Sequence, residues 1–261
     1  MNSKADKLKA FERILTIMDE LRAGCPWDAK QTNESLRPLT IEETYELAEA
    51  IMENNSQEIK KELGDLFLHI IFYAKIGSEK NEFDMADVIN SLAEKLIRRH
   101  PHVYGDTKIQ NTDEIKNNWE QIKLKEKDGN KSILGGIPNS LPALVKAVRV
   151  QEKARGAGFD WDVKEQVWDK VKEEIAEFEE AVSNQDQTEK EAEFGDIMFS
   201  LINAARLYDI NPENALERTN KKFISRFNFL ETKAKAMNKS LPDMSLNEME
   251  EIWNEAKTTE S

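Results

Sequence analysis

EEIAEFEEAVSNQDQTEKEAEFGD, residues 173–196, carries two acidic clusters separated by a short polar stretch, and its reading decides the fold. At about 100° per residue on an α-helix, Glu173, Glu174 and Glu177 fall on one arc of a first helix. Glu193 and Asp196, three residues apart, share a face of a second. The intervening AVSNQDQT, residues 181–188, is polar and short enough to turn an antiparallel helix hairpin. Folding that hairpin aims the two clusters at each other. Ile175, Phe178, Phe194 and Ile197 flank the acids, so part of the same helix surface is expected to be buried. The glycine of Glu-x-Gly-Asp, Gly195, costs about 1 kcal/mol relative to alanine inside a helix. It is expected where the two helices approach closely.

The same text occurs earlier in the chain. Glu42, Glu43, Glu46, Glu62, Gly64 and Asp65 match Glu173, Glu174, Glu177, Glu193, Gly195 and Asp196 at a constant offset of 131 residues. With acids scattered at random, five such coincidences at one preset offset have odds of roughly 2 in 10,000, and searching about a hundred offsets raises that to a few per cent. Two further matches, Trp27-Asp28 with Trp161-Asp162 and Trp119-x-x-x-Lys123 with Trp253-x-x-x-Lys257, fall at an offset of 134. The chain therefore reads as a tandem duplication. Apolar residues recur at three- and four-residue steps elsewhere too, as in Leu8, Phe11, Ile14, Leu15 and Met18, and strict alternation is almost absent. The expected class is all-α, two helical-bundle domains in tandem. Breaks are expected at Gly24-Cys25-Pro26, Pro38, residues 101–105 and Asn211-Pro212. The largest breaker cluster, DGNKSILGGIPNSLP, sets a linker at residues 128–142 between domains at 1–127 and 143–261.

Composition bounds the function. The 261 residues include 37 Lys and Arg against 50 Asp and Glu, a formal net charge of −13. Such a chain is not expected to coat nucleic acid directly or to sit on an anionic membrane. The single cysteine, Cys25, excludes an internal disulfide and a cysteine-based zinc site. The opening MNSKADKLKAFERIL is charged and amphipathic rather than a signal peptide, and no apolar run approaches the length of a membrane span, so a cytoplasmic location is expected.

Either acidic cluster taken alone reads as the solvated face of an acidic helix, but two clusters facing each other need compensation, and a hard divalent cation is expected to supply it: Mg²⁺, with Mn²⁺ as a substitute, suits oxygen donors shared with phosphates and water. Glu-x-x-His pairs for a di-iron bundle, a calcium loop and a Gly-rich phosphate loop are absent from the sequence. Lys222 and Arg226, four apart and hence on one helix face, are candidates for the distal phosphates of a nucleotide. Trp253 and Lys257, also four apart, are candidates for a stacking surface and a further phosphate contact. The plainer alternatives are surface charge for the first pair and docking of the last helix for the second.

Glu-Glu-x-x-Glu followed after fifteen residues by Glu-x-x-Asp resembles the motif of the MazG-type, all-α nucleoside triphosphate pyrophosphohydrolases. The wider text is similar as well: GCPWDAKQTNESLRPLTIEETYELAEAI, ELGDLFLHIIFYAKI, RRHPHVYGD, GIPNSLPALVKAVRVQEKARGAGFDW and EIWNEAK, spanning Leu8 to Lys257. One departure is Asn33, where the family commonly has histidine; it lies outside the acid clusters and bears on local contacts of the first half. The resemblance implies Mg²⁺-dependent hydrolysis of nucleoside triphosphates between the α- and β-phosphates, giving the monophosphate and pyrophosphate. It implies Glu174, Glu177, Glu193 and Asp196 as metal ligands and Glu173 as the acid that orients or deprotonates water. Lys170, Lys222, Arg226 and Trp253 are implied as nucleotide contacts. It further implies a homodimer, a four-helix core in each domain, and activity centred on the C-terminal domain. The first half keeps Glu42, Glu43, Glu46, Glu62 and Asp65, which leaves activity there open.

Two other readings fit parts of the sequence. A non-catalytic acidic helical scaffold binding a basic protein would account for the charge but not for the duplicated acid geometry. A pyrophosphohydrolase restricted to one nucleotide, such as dUTP or phosphoribosyl-ATP, would share the chemistry and differ only in substrate range.

Overall fold

A computed structural model describes residues 1–105, 115, 118, 119, 122, 132–161 and 163–259. Asp162, Lys123 and residues 128–131 of the expected linker lie outside the described residues. The described elements are helices, with no strand among them, and the chain divides into two compact units, Met1–Gln110 and Asn111–Ser261. None of the described helices is long and apolar enough to cross a membrane.

In the first unit, helix α1 (Lys4–Gly24) starts on a reciprocal cap: Asp6 N–H donates to Ser3 Oγ at 3.2 Å and Ser3 N–H to the Asp6 carboxylate at 3.0 Å. Helix α2 (Asn33–Met52) starts on a similar exchange between Thr32 and Ser35. Pro38 is not a break; it lies inside α2. Its missing N–H removes one bond to the Glu34 carbonyl. Packing outweighs that loss, because Leu36 is buried and Leu39 lies against the same core. Helix α3 (Ser56–Glu79) follows after a short turn in which Asn54 adopts a left-handed φ of 53° and Asn55 caps the new helix. Helix α4 (Met85–Arg99) and the single turn α5 (Pro101–Tyr104) follow. Met18, Leu36, Ile71, Phe72 and Met85 join α1 to α4 in one core.

The second unit holds α6 (Ala143–Gly156), α7 (Val167–Asn184), α8 (Gln187–Leu207), α9 (Pro212–Ala236) and α10 (Leu246–Thr259). The turn between α7 and α8 is tighter than the 181–188 span expected from polarity. It comprises only Gln185, at φ 59°, and Asp186, whose side chain caps α8 through the Thr188 and Glu189 N–H groups. Ser183, Asn184, Gln187 and Thr188 are exposed polar residues at the ends of the two helices, and Ala181 is buried. Gly135, in the expected linker, is tied to α6: Lys153 Nζ donates to the carbonyls of Ile133 and Gly135, each at 3.1 Å. Leu230, Ala234, Met244 and Ile252 form a separate small core joining α9 to α10.

Candidate metal centre and adjoining cavity

The hairpin α7–α8 does what the spacing of its acids requires. Phe178 and Phe194 meet across it with ring centroids 5.9 Å apart, locking the register of the two helices. One turn along, Glu174 and Glu177 from α7 and Glu193 from α8 each offer a carboxylate oxygen, all within 4.8 Å of one another. Glu174 is buried, only 6% exposed, Glu193 is half-buried and Glu177 is exposed. Loss of water and then the hydrogen bond and negative charge of Glu174 raise the Glu177 carboxyl above its ordinary pKa. Lys170, one turn before, is the cation at hand: its Nζ lies 2.8 Å from Glu173 Oε1 and 2.8 Å from Glu174 Oε1. Those bonds hold its pKa well above the usual lysine value.

Glu173 thus pairs with Lys170 and stands outside the trio of converging carboxylates. Asp196, one turn beyond Glu193, is also outside the trio but lines the neighbouring cavity together with Lys170 and Glu174. Lys222, Arg226, Trp253 and Lys257 belong to the α9–α10 pair. Trp253 packs on Phe223 with centroids 5.0 Å apart, and Lys257 Nζ donates to Asn254 Oδ1 at 3.1 Å. None of these four lines the cavity.

The α2–α3 hairpin repeats the arrangement. Glu43, Glu62 and Asp65 bring carboxylate oxygens within 4.8 Å. Glu62 is buried; Oε1 accepts from Lys61 Nζ at 2.9 Å, and Oε2 is buried with no hydrogen-bond partner. Burial first, and then the charges of Asp65, Glu46, Glu62 and Glu42, raise the Glu43 carboxyl. Both hairpins carry the glycine of Glu-x-Gly-Asp, yet helix contact does not explain it. A Cβ built on Gly64 or Gly195 meets nothing within 4 Å. The close approach expected from sequence is absent, and the space beside each glycine is open.

The cavity beside the second cluster measures about 610 Å³. One part of its wall follows the end of α6. Gly158, at φ 88°, takes the left-handed conformation that glycine tolerates, and the N–H groups of Gly158 and Phe159 close on the Arg155 and Ala154 carbonyls. The chain then carries Phe159, Asp160 and Trp161 along the cavity wall. Arg206 from α8 holds Asp160 through a two-point ion pair, one limb of 3.0 Å, and keeps the Asp160 carboxyl below its usual pKa despite burial. Trp161 stands out in the sequence as a repeat marker, with no site attached to it. Gln151 on α6 and Asn203 and Arg206 on α8 carry no sequence signal, because they match no short motif and the two helices are far apart along the chain.

A family model described as the MazG nucleotide pyrophosphohydrolase domain matches residues 31–104 and 164–229, one segment over each acidic hairpin. The chain is 44% identical over 250 residues to the Thermotoga maritima protein named nucleoside triphosphate pyrophosphohydrolase/pyrophosphatase MazG, covering 95% of each. It is 40% identical over 260 residues to the Escherichia coli nucleoside triphosphate pyrophosphohydrolase, covering 97% of this chain and 99% of that one. It is also 47% identical over 254 residues to the Bacillus subtilis protein YabN, covering 96% of this chain and 52% of that one. Two acid hairpins of one design, matched along nearly the whole length of the Thermotoga maritima and Escherichia coli relatives, show that the chain belongs to the MazG nucleotide pyrophosphohydrolase family.

Proposed function

We propose that the protein is a Mg²⁺-dependent nucleoside triphosphate pyrophosphohydrolase that cleaves the α–β phosphoanhydride, with its working centre in the second unit. The observation that carries this reading is the convergence of Glu174, Glu177 and Glu193 within 4.8 Å, at the edge of a cavity that Asp196 and Lys170 also line. The donor set fits the ion: hard carboxylate oxygens, one of which loss of water and then Glu174 hold above its ordinary pKa, with one lysine as counter-charge. Glu174, Glu177, Glu193 and Asp196 would hold Mg²⁺, with Mn²⁺ as a substitute. When bound, the cation supplies Lewis-acid neutralisation of the phosphate oxygens, which a chain of net charge −13 otherwise lacks.

The protein groups divide the remaining work. Lys170 turns its ammonium from Glu173 and Glu174 to a phosphate oxygen. Glu173, released from that pair, orients water and accepts its proton on a carboxylate oxygen. Lys222, Arg226, Trp253 and Lys257 contact the nucleotide from the α9–α10 pair. A cytoplasmic homodimer completes the reading; the exposed apolar side chains Phe194, Met198 and Leu201 on α8 support a second copy against that helix. The test is release of pyrophosphate from mixed nucleoside triphosphates with Mg²⁺ and with EDTA, run in ¹⁸O-water to locate the cut. Pyrophosphate with Mg²⁺ alone is expected. Orthophosphate as the product, or no product with any divalent ion, overturns the reading.

A further inference from the structure

The 610 Å³ cavity has walls that phosphate chemistry does not use. Beyond Glu174, Asp196 and Lys170 the lining mixes aliphatic side chains with Phe159, Trp161 and Phe199, and it carries two primary amides, Gln151 of α6 and Asn203 of α8. Each amide is anchored at one end only. Gln151 Nε2 donates to the Phe199 carbonyl at 2.8 Å. A carbonyl can only accept, so the free end of this amide is Oε1. That oxygen is buried and has no hydrogen-bond partner, on a residue only 6% exposed. Asn203 is anchored the opposite way: Oδ1 accepts from Arg206 Nε at 3.0 Å and from Nη2 at 2.8 Å. A guanidinium can only donate, so its free end is Nδ2. Arg206 is itself fixed by Asp160.

The cavity therefore offers one oriented acceptor and one oriented donor in a lining that also includes aromatic side chains. A buried acceptor without a donor is costly to fold around, so the site calls for a ligand that brings an N–H. Nucleobases do so: each carries N–H groups beside oxygen or ring-nitrogen acceptors, on a flat ring that stacks. We propose that this cavity is the nucleoside subsite of the second-unit centre and sets its base preference. Gln151 Oε1 accepts from a base N–H, Asn203 Nδ2 donates to a base acceptor, and Trp161 provides the stacking face. The assignment rests on the hydrolase reading for placing phosphates at the acids.

The experiment titrates the full-length protein with the four ribonucleoside 5′-monophosphates and with inorganic tripolyphosphate, in EDTA and in Mg²⁺, by calorimetry. It compares wild type with Gln151→Met, Asn203→Leu and Trp161→Ala. The amide substitutions are uncharged and close in volume, which leaves the phosphate field unaltered. Trp161 is 37% exposed and its loss spares the core. Thermal unfolding of each variant confirms folding, and Trp161→Ala keeps the test alive if a buried substitution fails.

Each amide variant is expected to weaken at least one base by about tenfold and to reorder the four. Trp161→Ala is expected to weaken all four, and tripolyphosphate is expected to bind every variant as it binds wild type. Wild type that binds no monophosphate overturns the proposal. So does unchanged base order in the variants, or an equal loss for monophosphates and tripolyphosphate. The two readings fail separately: base-selective binding without pyrophosphate release sinks only the hydrolase, and turnover with unaltered base order sinks only the subsite.

Discussion

Lys170→Met tests whether the lysine occupies the charge position that a divalent ion takes over. Its Nζ lies 2.8 Å from both Glu173 and Glu174. Coulomb's law gives about 1.5 kcal/mol per contact at the dielectric of water and about 6 at an effective dielectric of 20. The lysine side chain is 38% exposed and that of Glu173 55%, so screening and side-chain ordering cancel most of this. About 1–2 kcal/mol of net stability is left, most of it from the buried Glu174. A unit of the size of Asn111–Ser261 should then lose about 3–7 °C in melting temperature in EDTA.

Metal affinity moves the opposite way. Removing the competing ammonium should lower the Mg²⁺ concentration at half-saturation by about tenfold. Saturating Mg²⁺ should bring the variant's melting temperature back toward that of wild type, since an ion at a hundred times its Kd contributes about 2.7 kcal/mol. Calorimetric scans across a Mg²⁺ series read both quantities. A variant that melts with wild type in EDTA and shows the same Mg²⁺ midpoint would refute the argument.

Asp196→Asn should abolish pyrophosphate release while Asp65→Asn largely spares it, read as kcat/KM with Mg²⁺; the reverse result moves the chemistry to the first unit. His69 is held below its ordinary pKa by burial, which outweighs the pull of Asp65. The folded chain therefore binds this proton less readily than the unfolded one, and stability is complete above pH 6.5 and declines as pH falls below it. Urea midpoints between pH 7.5 and 5.5 should show that slope, and His69→Gln should flatten it. Gly64→Ala and Gly195→Ala should each stabilise by about 0.5–1 kcal/mol, because the helix gains propensity and the new methyl meets nothing. Gly77→Ala should destabilise by about 1–3 kcal/mol, since its Cβ would lie 2.8 Å from the Phe83 ring and 2.9 Å from the Phe83 carbonyl oxygen. Thermal unfolding of the three variants in parallel checks the contrast.

What the residues alone reveal follows from how local each interaction is. The hairpins and their facing acids are legible because helical periodicity acts within a few residues, and duplication writes the pattern twice. Pro38 misleads because a local rule about a missing N–H competes with burial of Leu36, a tertiary effect. The hairpin turn reads too long because exposed helix ends are as polar as turns. Gly195 suggests contact, whereas its surroundings are open, and no single-residue propensity distinguishes the two. The cavity is least legible of all. It needs Gly158 to redirect the chain, Arg206 to orient Asn203, and Gln151 to arrive from a third helix.

The two halves share their acids, so the difference between them must lie around the acids. At the 131-residue offset, Lys170 corresponds to Leu39, Val171 to Thr40, Ser200 to His69, Asn203 to Phe72 and Ala204 to Tyr73. In the first unit Thr40 Oγ1 bonds His69 Nδ1 at 2.8 Å and Tyr73 Oη at 2.7 Å, a polar knot where the second unit has small or apolar side chains. Phe72 is among the most buried side chains of that core, at the position where the second unit presents an amide to its cavity. An aromatic ring that fills a base-reading position trades recognition for packing. The lysine that neutralises the second cluster from α7 has no counterpart on α2; Lys61 on α3 reaches only one oxygen of Glu62. Each unit thus presents a cluster of carboxylates, and on the proposed reading only the second presents groups that read a nucleoside. It follows that divalent ions should stabilise both units, whereas nucleosides should stabilise the second alone.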